Sequence, residues 1–97
     1  MNISERLQEV RVKRPSRVKV LGQWVTVEEV DLSEEDGLWG DSNTGKRHIR
    51  IKEGTTDVEY QRVLRHEIFH LRLGISGLSE LLTAEQAEAL AVLAETL

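Results

Sequence analysis

The chain has 97 residues, no cysteine and a formal net charge of −4, which suits one domain built on a single small core. Without cysteine it has neither disulfides nor thiolate ligands, so any metal centre must be made from His, Asp, Glu and water. A hydrophobic share of 39% against 31% charged residues excludes a disordered tail, and no apolar run approaches the roughly 18 residues of a membrane span.

The amino-terminal Met-Asn-Ile-Ser-Glu-Arg-Leu lacks the apolar core of a signal peptide, so a cytoplasmic protein with no membrane partner is expected. Ile3, Leu7 and Val10 recur at helical spacing behind Asn2 or Ser4 as cap, which predicts a short amphipathic helix over 3–11. Pro15 stops it and biases Arg14 towards extended backbone. Residues 1–27 carry an excess of four positive charges. With no recognisable nucleic-acid motif in them, a solvated basic strand is expected and a nucleic-acid partner is not.

From Arg17 the period changes to two. Val18 and Val20 alternate with Arg17 and Lys19, and Val25 and Val27 alternate with Trp24, Thr26 and Glu28. Gly22-Gln23 between the runs reads as a tight reversal joining two strands. Residues 33–46, rich in Ser, Glu, Asp, Gly and Asn, read as loop interrupted by Leu38-Trp39, with turn chemistry at Asn43-Thr44-Gly45. The alternation His48-Ile49-Arg50-Ile51-Lys52 then predicts an edge strand with one wet face.

Thr56-Asp57-Val58-Glu59 is a capping box. It opens a helix expected to run to Leu73, stopped by Gly74, with Tyr60, Val63, Leu64, Ile68 and Leu71 as its buried stripe. A second capping box, Thr83-Ala84-Glu85-Gln86, opens a last helix with Ala87, Leu90, Ala91, Ala94 and Leu97 on its apolar face. The order predicts one α+β domain over 1–97: an N-terminal helix, a three-to-four-stranded sheet and two further helices.

The chemistry sits in the first of those two helices, where residues 66–70 read His-Glu-Ile-Phe-His. Residues four apart lie one above the other on a helix face, so His66 and His70 can offer two imidazole nitrogens to one ion. Glu67 projects beside them. This HExxH box is the ligand pair and general base of zinc-dependent peptidases. Zinc is the expected metal: it acidifies a bound water and polarises a carbonyl, while Glu67 is expected to carry the proton from that water to the leaving amine.

Such a centre needs a third protein ligand. The metzincin extension requires Gly and His at the positions held here by Leu73 and Ser76, so that class fails. His48 lies upstream on the presumed edge strand. The carboxylates Glu80, Glu85, Glu88 and Glu95 follow the box. On a 100° wheel Glu88 and Glu95 border the apolar stripe of the last helix, Glu85 points further towards solvent, and Glu80 precedes the cap. Glu88 is nearer in sequence to the box and is chosen as the ligand, with Glu85 and Glu95 behind it.

Leu21-Gly22-Gln23-Trp24-Val25, the Gly/Trp loop, the Ile49-x-Ile51 strand, the box and Leu82-Thr83-Ala84-Glu85-Gln86-Ala87-Glu88-Ala89-Leu90 resemble the small phage- and prophage-type HExxH metallopeptidase-like proteins. The resemblance covers residues 18–95, with the box as its specific part. It implies a minimal zincin-like fold of the gluzincin type, in which a Glu-rich helix after the box donates the third ligand. Ala87 and Glu88 stand where that family has a Glu-Glu pair, which favours Glu88, and Arg72 stands where its helix keeps a hydrophobic residue. The function expected is a zinc-dependent peptidase acting on a peptide or protein, bound as an added strand near Arg50. The alternative is a non-catalytic binding or regulatory protein on the same frame.

Overall fold

A computed structural model describes residues 14–96, so the helix expected over 3–11 lies outside the described residues. The period-two segments form β1 (Arg17–Val20) and β2 (Gln23–Val30), paired antiparallel with Val20 opposite Gln23. The reversal between them is Leu21-Gly22, one residue earlier than expected. Both residues have positive φ, 49° and 78°, as a two-residue hairpin turn of the primed kind requires.

The other two strands are β3 (Gly40–Asn43) and β4 (His48–Lys52), and the sheet order is β1-β2-β4-β3. This corrects two expectations. β4 is an inner strand, parallel to β2 from Thr26 opposite His48 to Val30 opposite Lys52, and antiparallel to β3 on its other side. Its alternation reports one wet face, a property that an inner strand of an open sheet shares with an edge strand. The edge is β3, which lies within the segment read as loop. Gly40 and Ser42 hold its inward positions, so it shows no apolar alternation to detect.

One face of the sheet packs on helix α1 (Asp57–Ser76). Val20, Val25, Val27, Ile49 and Ile51 meet Tyr60, Val63 and Leu71 in the buried core. The inner positions of β2 and β4 are fully enclosed while their alternate residues stay wet, the half-buried pattern of a single-layer sheet under one helix. Trp24 and Trp39 are not core residues. They stay half exposed, with the Arg17 guanidinium 4.0 Å from the Trp24 ring centre and the Lys52 ammonium 5.0 Å from that of Trp39.

The Thr56–Glu59 capping box forms with both reciprocal hydrogen bonds. Arg14 reinforces the same end: its guanidinium donates to Asp57 at 2.9 Å, to Glu29 at 2.7 Å and to the Thr55 carbonyl at 2.8 Å. The helix runs past Gly74 to Ser76 and ends at Gly77, whose φ is 81°. Gly74 has a different reason to be glycine. A Cβ there would collide with the Thr44 hydroxyl, so its bareness lets the β3–β4 turn close over the helix.

A turn of 3-10 helix at Leu78–Leu81 leads to α2 (Ala84–Ala94), opened by the expected Thr83–Gln86 capping box. Ala91 and Ala94 are its buried positions, and it packs on α1 through this small-residue side. Leu90 is more exposed than expected, and Leu97 lies outside the described residues. No described helix is long and apolar enough to cross a membrane.

Candidate metal centre

The buried residues Tyr60, Val63, Glu67 and Leu71 of α1 follow one stripe at spacings of three and four. Glu67 therefore occupies a position that helical geometry reserves for the core. His66 and His70 fall on the flank of that stripe, with side chains 14% and 26% exposed, where α2 meets α1. The second helix brings Glu88 to both rings.

Nε2 of His66 lies 3.0 Å from Glu88 Oε1, Nε2 of His70 lies 3.1 Å from Glu88 Oε2, and the two Nε2 atoms are 3.2 Å apart. His66, His70 and Glu88 thus form one compact ligand group, the three residues named from the sequence. The spacing tests the fit to zinc. Ligands about 2.0–2.1 Å from a tetrahedral ion stand about 3.3 Å from one another, and the 3.2 Å between the two Nε2 atoms comes close to that edge, with one Glu88 oxygen facing each ring. Two imidazoles and one carboxylate also form a donor set of the right chemistry for a site that keeps a coordination position open.

The remaining candidates separate cleanly. His48 sits on the wet face of the sheet, its Nε2 3.0 Å from Glu28, while its neighbour Ile49 enters the core from the opposite face. Glu80 and Glu85 are exposed and take no part in the ligand group. Glu95 approaches the centre from another side: its Oε1 is 3.3 Å from Nδ1 of His66, the ring nitrogen turned away from Glu88.

Glu67 is 7% exposed and lies under β3. Burial pushes its carboxyl above the ordinary glutamate range, opposed by the neighbouring imidazole of His66, the nearby Ser42 hydroxyl and the imidazole of His70. Gly40 lets β3 lie close on this side of α1, since a Cβ there would stand 2.6 Å from Val63 Cγ1, with Glu67 Cγ next to it at an ordinary contact distance of 3.6 Å. Ser42 and Gly40 are site residues that sequence reasoning missed. Their signal was a pair of small residues two apart in a segment otherwise read as loop, the spacing of one strand face.

A cleft of about 440 Å³ opens onto the group, lined by Trp39 and Gly40 on one wall, Arg62, His66 and Glu67 on α1, and Glu88 of α2. The outer edge of β3 has no strand partner among the described residues, so the cleft borders unpaired backbone groups. No family model, curated protein or solved structure matches the chain.

Proposed function

We propose that the protein is a zinc-dependent peptidase on a minimal zincin-like frame, with His66, His70 and Glu88 as metal ligands and Glu67 as general base. The observation that carries this reading is the convergence of two imidazole Nε2 atoms 3.2 Å apart on the Glu88 carboxylate, one oxygen 3.0 Å from His66 and the other 3.1 Å from His70, with the buried carboxylate of Glu67 between them on the same helix. Zinc in that group supplies a Lewis acid for the carbonyl and acidifies the attacking water. The Glu67 carboxylate takes the proton of that water and returns it to the leaving amine nitrogen.

The substrate placement changes with the sheet order. Arg50 lies on an inner strand and is tied to Asp41 across the wet face, so an added strand has no edge there. Of the two edge strands β3 is the one beside the cleft, and an extended peptide pairing with Gly40–Asn43 would pass close to the ligand group.

The test is elemental analysis of protein purified without added metal, followed by incubation with a pooled peptide library. One equivalent of zinc and cleavage that disappears in Glu67→Gln are expected. Zinc without cleavage of any peptide would instead support a binding or regulatory module, and absence of stoichiometric metal would end both the zinc and the peptidase reading.

A further inference from the structure

Within the proposed centre one polar atom has no partner. Nδ1 of His66 is enclosed by protein and makes no hydrogen bond to the described residues. The carboxylate facing it is that of Glu95, with Oε1 at 3.3 Å but not aligned for a hydrogen bond. Glu95 is not a solvated surface acid: its side chain is 23% exposed. Its position is also fixed, because Arg65 donates from Nε to the Glu95 main-chain carbonyl at 2.9 Å. Consecutive residues of α1 therefore face both ends of Glu95, Arg65 bonded to its backbone and His66 beside its carboxylate.

We infer that Glu95 is a positioning residue that accepts the Nδ1–H of His66 and so fixes the tautomer in which Nε2 presents its lone pair to the metal. A neutral imidazole has one donor nitrogen and one acceptor nitrogen, and the bond made by one decides the role of the other. Metal-ligating histidines commonly give their second N–H to a carboxylate, which orients the ring and raises its basicity. The inference rests on the zinc reading for the purpose of the pair. The Glu95–His66 contact itself is independent of it.

The test uses the full chain with Glu95→Ala and Glu95→Gln, read by nitrogen-detected NMR of the His66 ring without metal and by zinc affinity against a chromophoric chelator. Glu88 lies 3.0 Å from Nε2 and competes for the other tautomer, so wild type is expected to show a larger share of the Nδ1–H form of His66 than Glu95→Ala does. Zinc affinity should fall about 10- to 100-fold in Glu95→Ala. Glu95→Gln keeps an acceptor oxygen and the side-chain volume, so it should keep the tautomer and lose less affinity. It also guards against a Glu95→Ala variant that does not fold. A purely structural role would leave the tautomer unmoved.

The same tautomer in wild type and Glu95→Ala, zinc affinities within twofold in both variants, or a zinc-bound structure with Glu95 on the metal would overturn the inference. Wild type that shows the expected tautomer shift yet binds no zinc would remove the peptidase reading and leave the pair standing.

Discussion

Gly40→Ala places a methyl group where the structure has no room for one. The added Cβ would stand 2.6 Å from Val63 Cγ1 and 2.8 Å from the Arg50 carbonyl oxygen, about 1 Å inside an ordinary contact of ~3.5–4.0 Å. Neither neighbour yields easily. The carbonyl belongs to β4, held by strands on both sides, and Val63 is a β-branched residue on the buried stripe of α1 with few rotamers open to it. Overpacking of this kind costs about 1–3 kcal/mol, and at this chain length each kcal/mol lowers Tm by roughly 4–8 °C. The assay is thermal unfolding of metal-free protein followed by circular dichroism. Gly45→Ala serves as the control, because its Cβ would meet only Asn43 Oδ1 at 3.5 Å, and its change should stay within about 1 kcal/mol. A second readout is functional: β3 lifted from α1 carries Ser42 away from Glu67, so hydrolysis should fall even where zinc remains bound. A Gly40→Ala protein that melts with wild type, or a Gly45→Ala protein that loses more, would refute this account of the β3–α1 contact.

His66→Ala and His70→Ala should each abolish stoichiometric zinc binding with helical content intact, as read by elemental analysis and circular dichroism; a full equivalent of zinc in both would move the metal elsewhere. Glu88→Ala should weaken zinc binding strongly and Glu85→Ala little, measured by chelator competition, and equal affinities would dismiss Glu88 as ligand. Glu67→Gln should retain zinc while hydrolysis falls by about 10² or more, and unchanged turnover would take the base role from Glu67. Without metal the same substitution should change the pH profile of stability. The folded protein raises the carboxyl of Glu67 above its ordinary value of 4.5, so the stability linked to its protonation is present below that value and is lost as pH rises through the folded one. The Tm of Glu67→Gln should therefore gain on wild type as pH climbs from about 4.5 towards neutrality; a constant difference would mean that the carboxyl is not held in a desolvated site.

Much of the candidate site was legible because helices encode it locally. The box, both capping boxes and the choice of Glu88 over Glu85 follow from residues a few positions apart and a 100° step. Even the burial of Glu67 can be read from its place between Val63 and Leu71 at helical spacing. The sheet was less legible because its order depends on pairing between distant segments. Nothing local distinguishes β4 beside one neighbour from β4 between two, since Ile49 and Ile51 enter the core either way. β3 escaped notice because its inward positions need small residues to pass over Val63 and Glu67, and Gly40 and Ser42 carry no hydrophobic period. Gly74 was misjudged as a stop for the same reason: a glycine needed for close approach looks, in one dimension, like a glycine needed for a turn.

The division of the ligand group between two helices has a mechanical consequence. Two of its members stand on α1, which the core holds along most of its length, and the third on α2, whose buried residues are only Ala91 and Ala94. Two methyl groups and the Arg65 bond to the Glu95 carbonyl are a weak anchor. An ion held by His66, His70 and Glu88 closes the chain between residues 70 and 88 into a loop and staples the carboxy-terminal quarter to the rest. Metal occupancy and the local folding of that quarter then become a single equilibrium. On the proposed metal reading, chelation should expose the segment after Gly77 to proteolytic nicking before the sheet loosens, which would couple the protein's lifetime to the supply of metal.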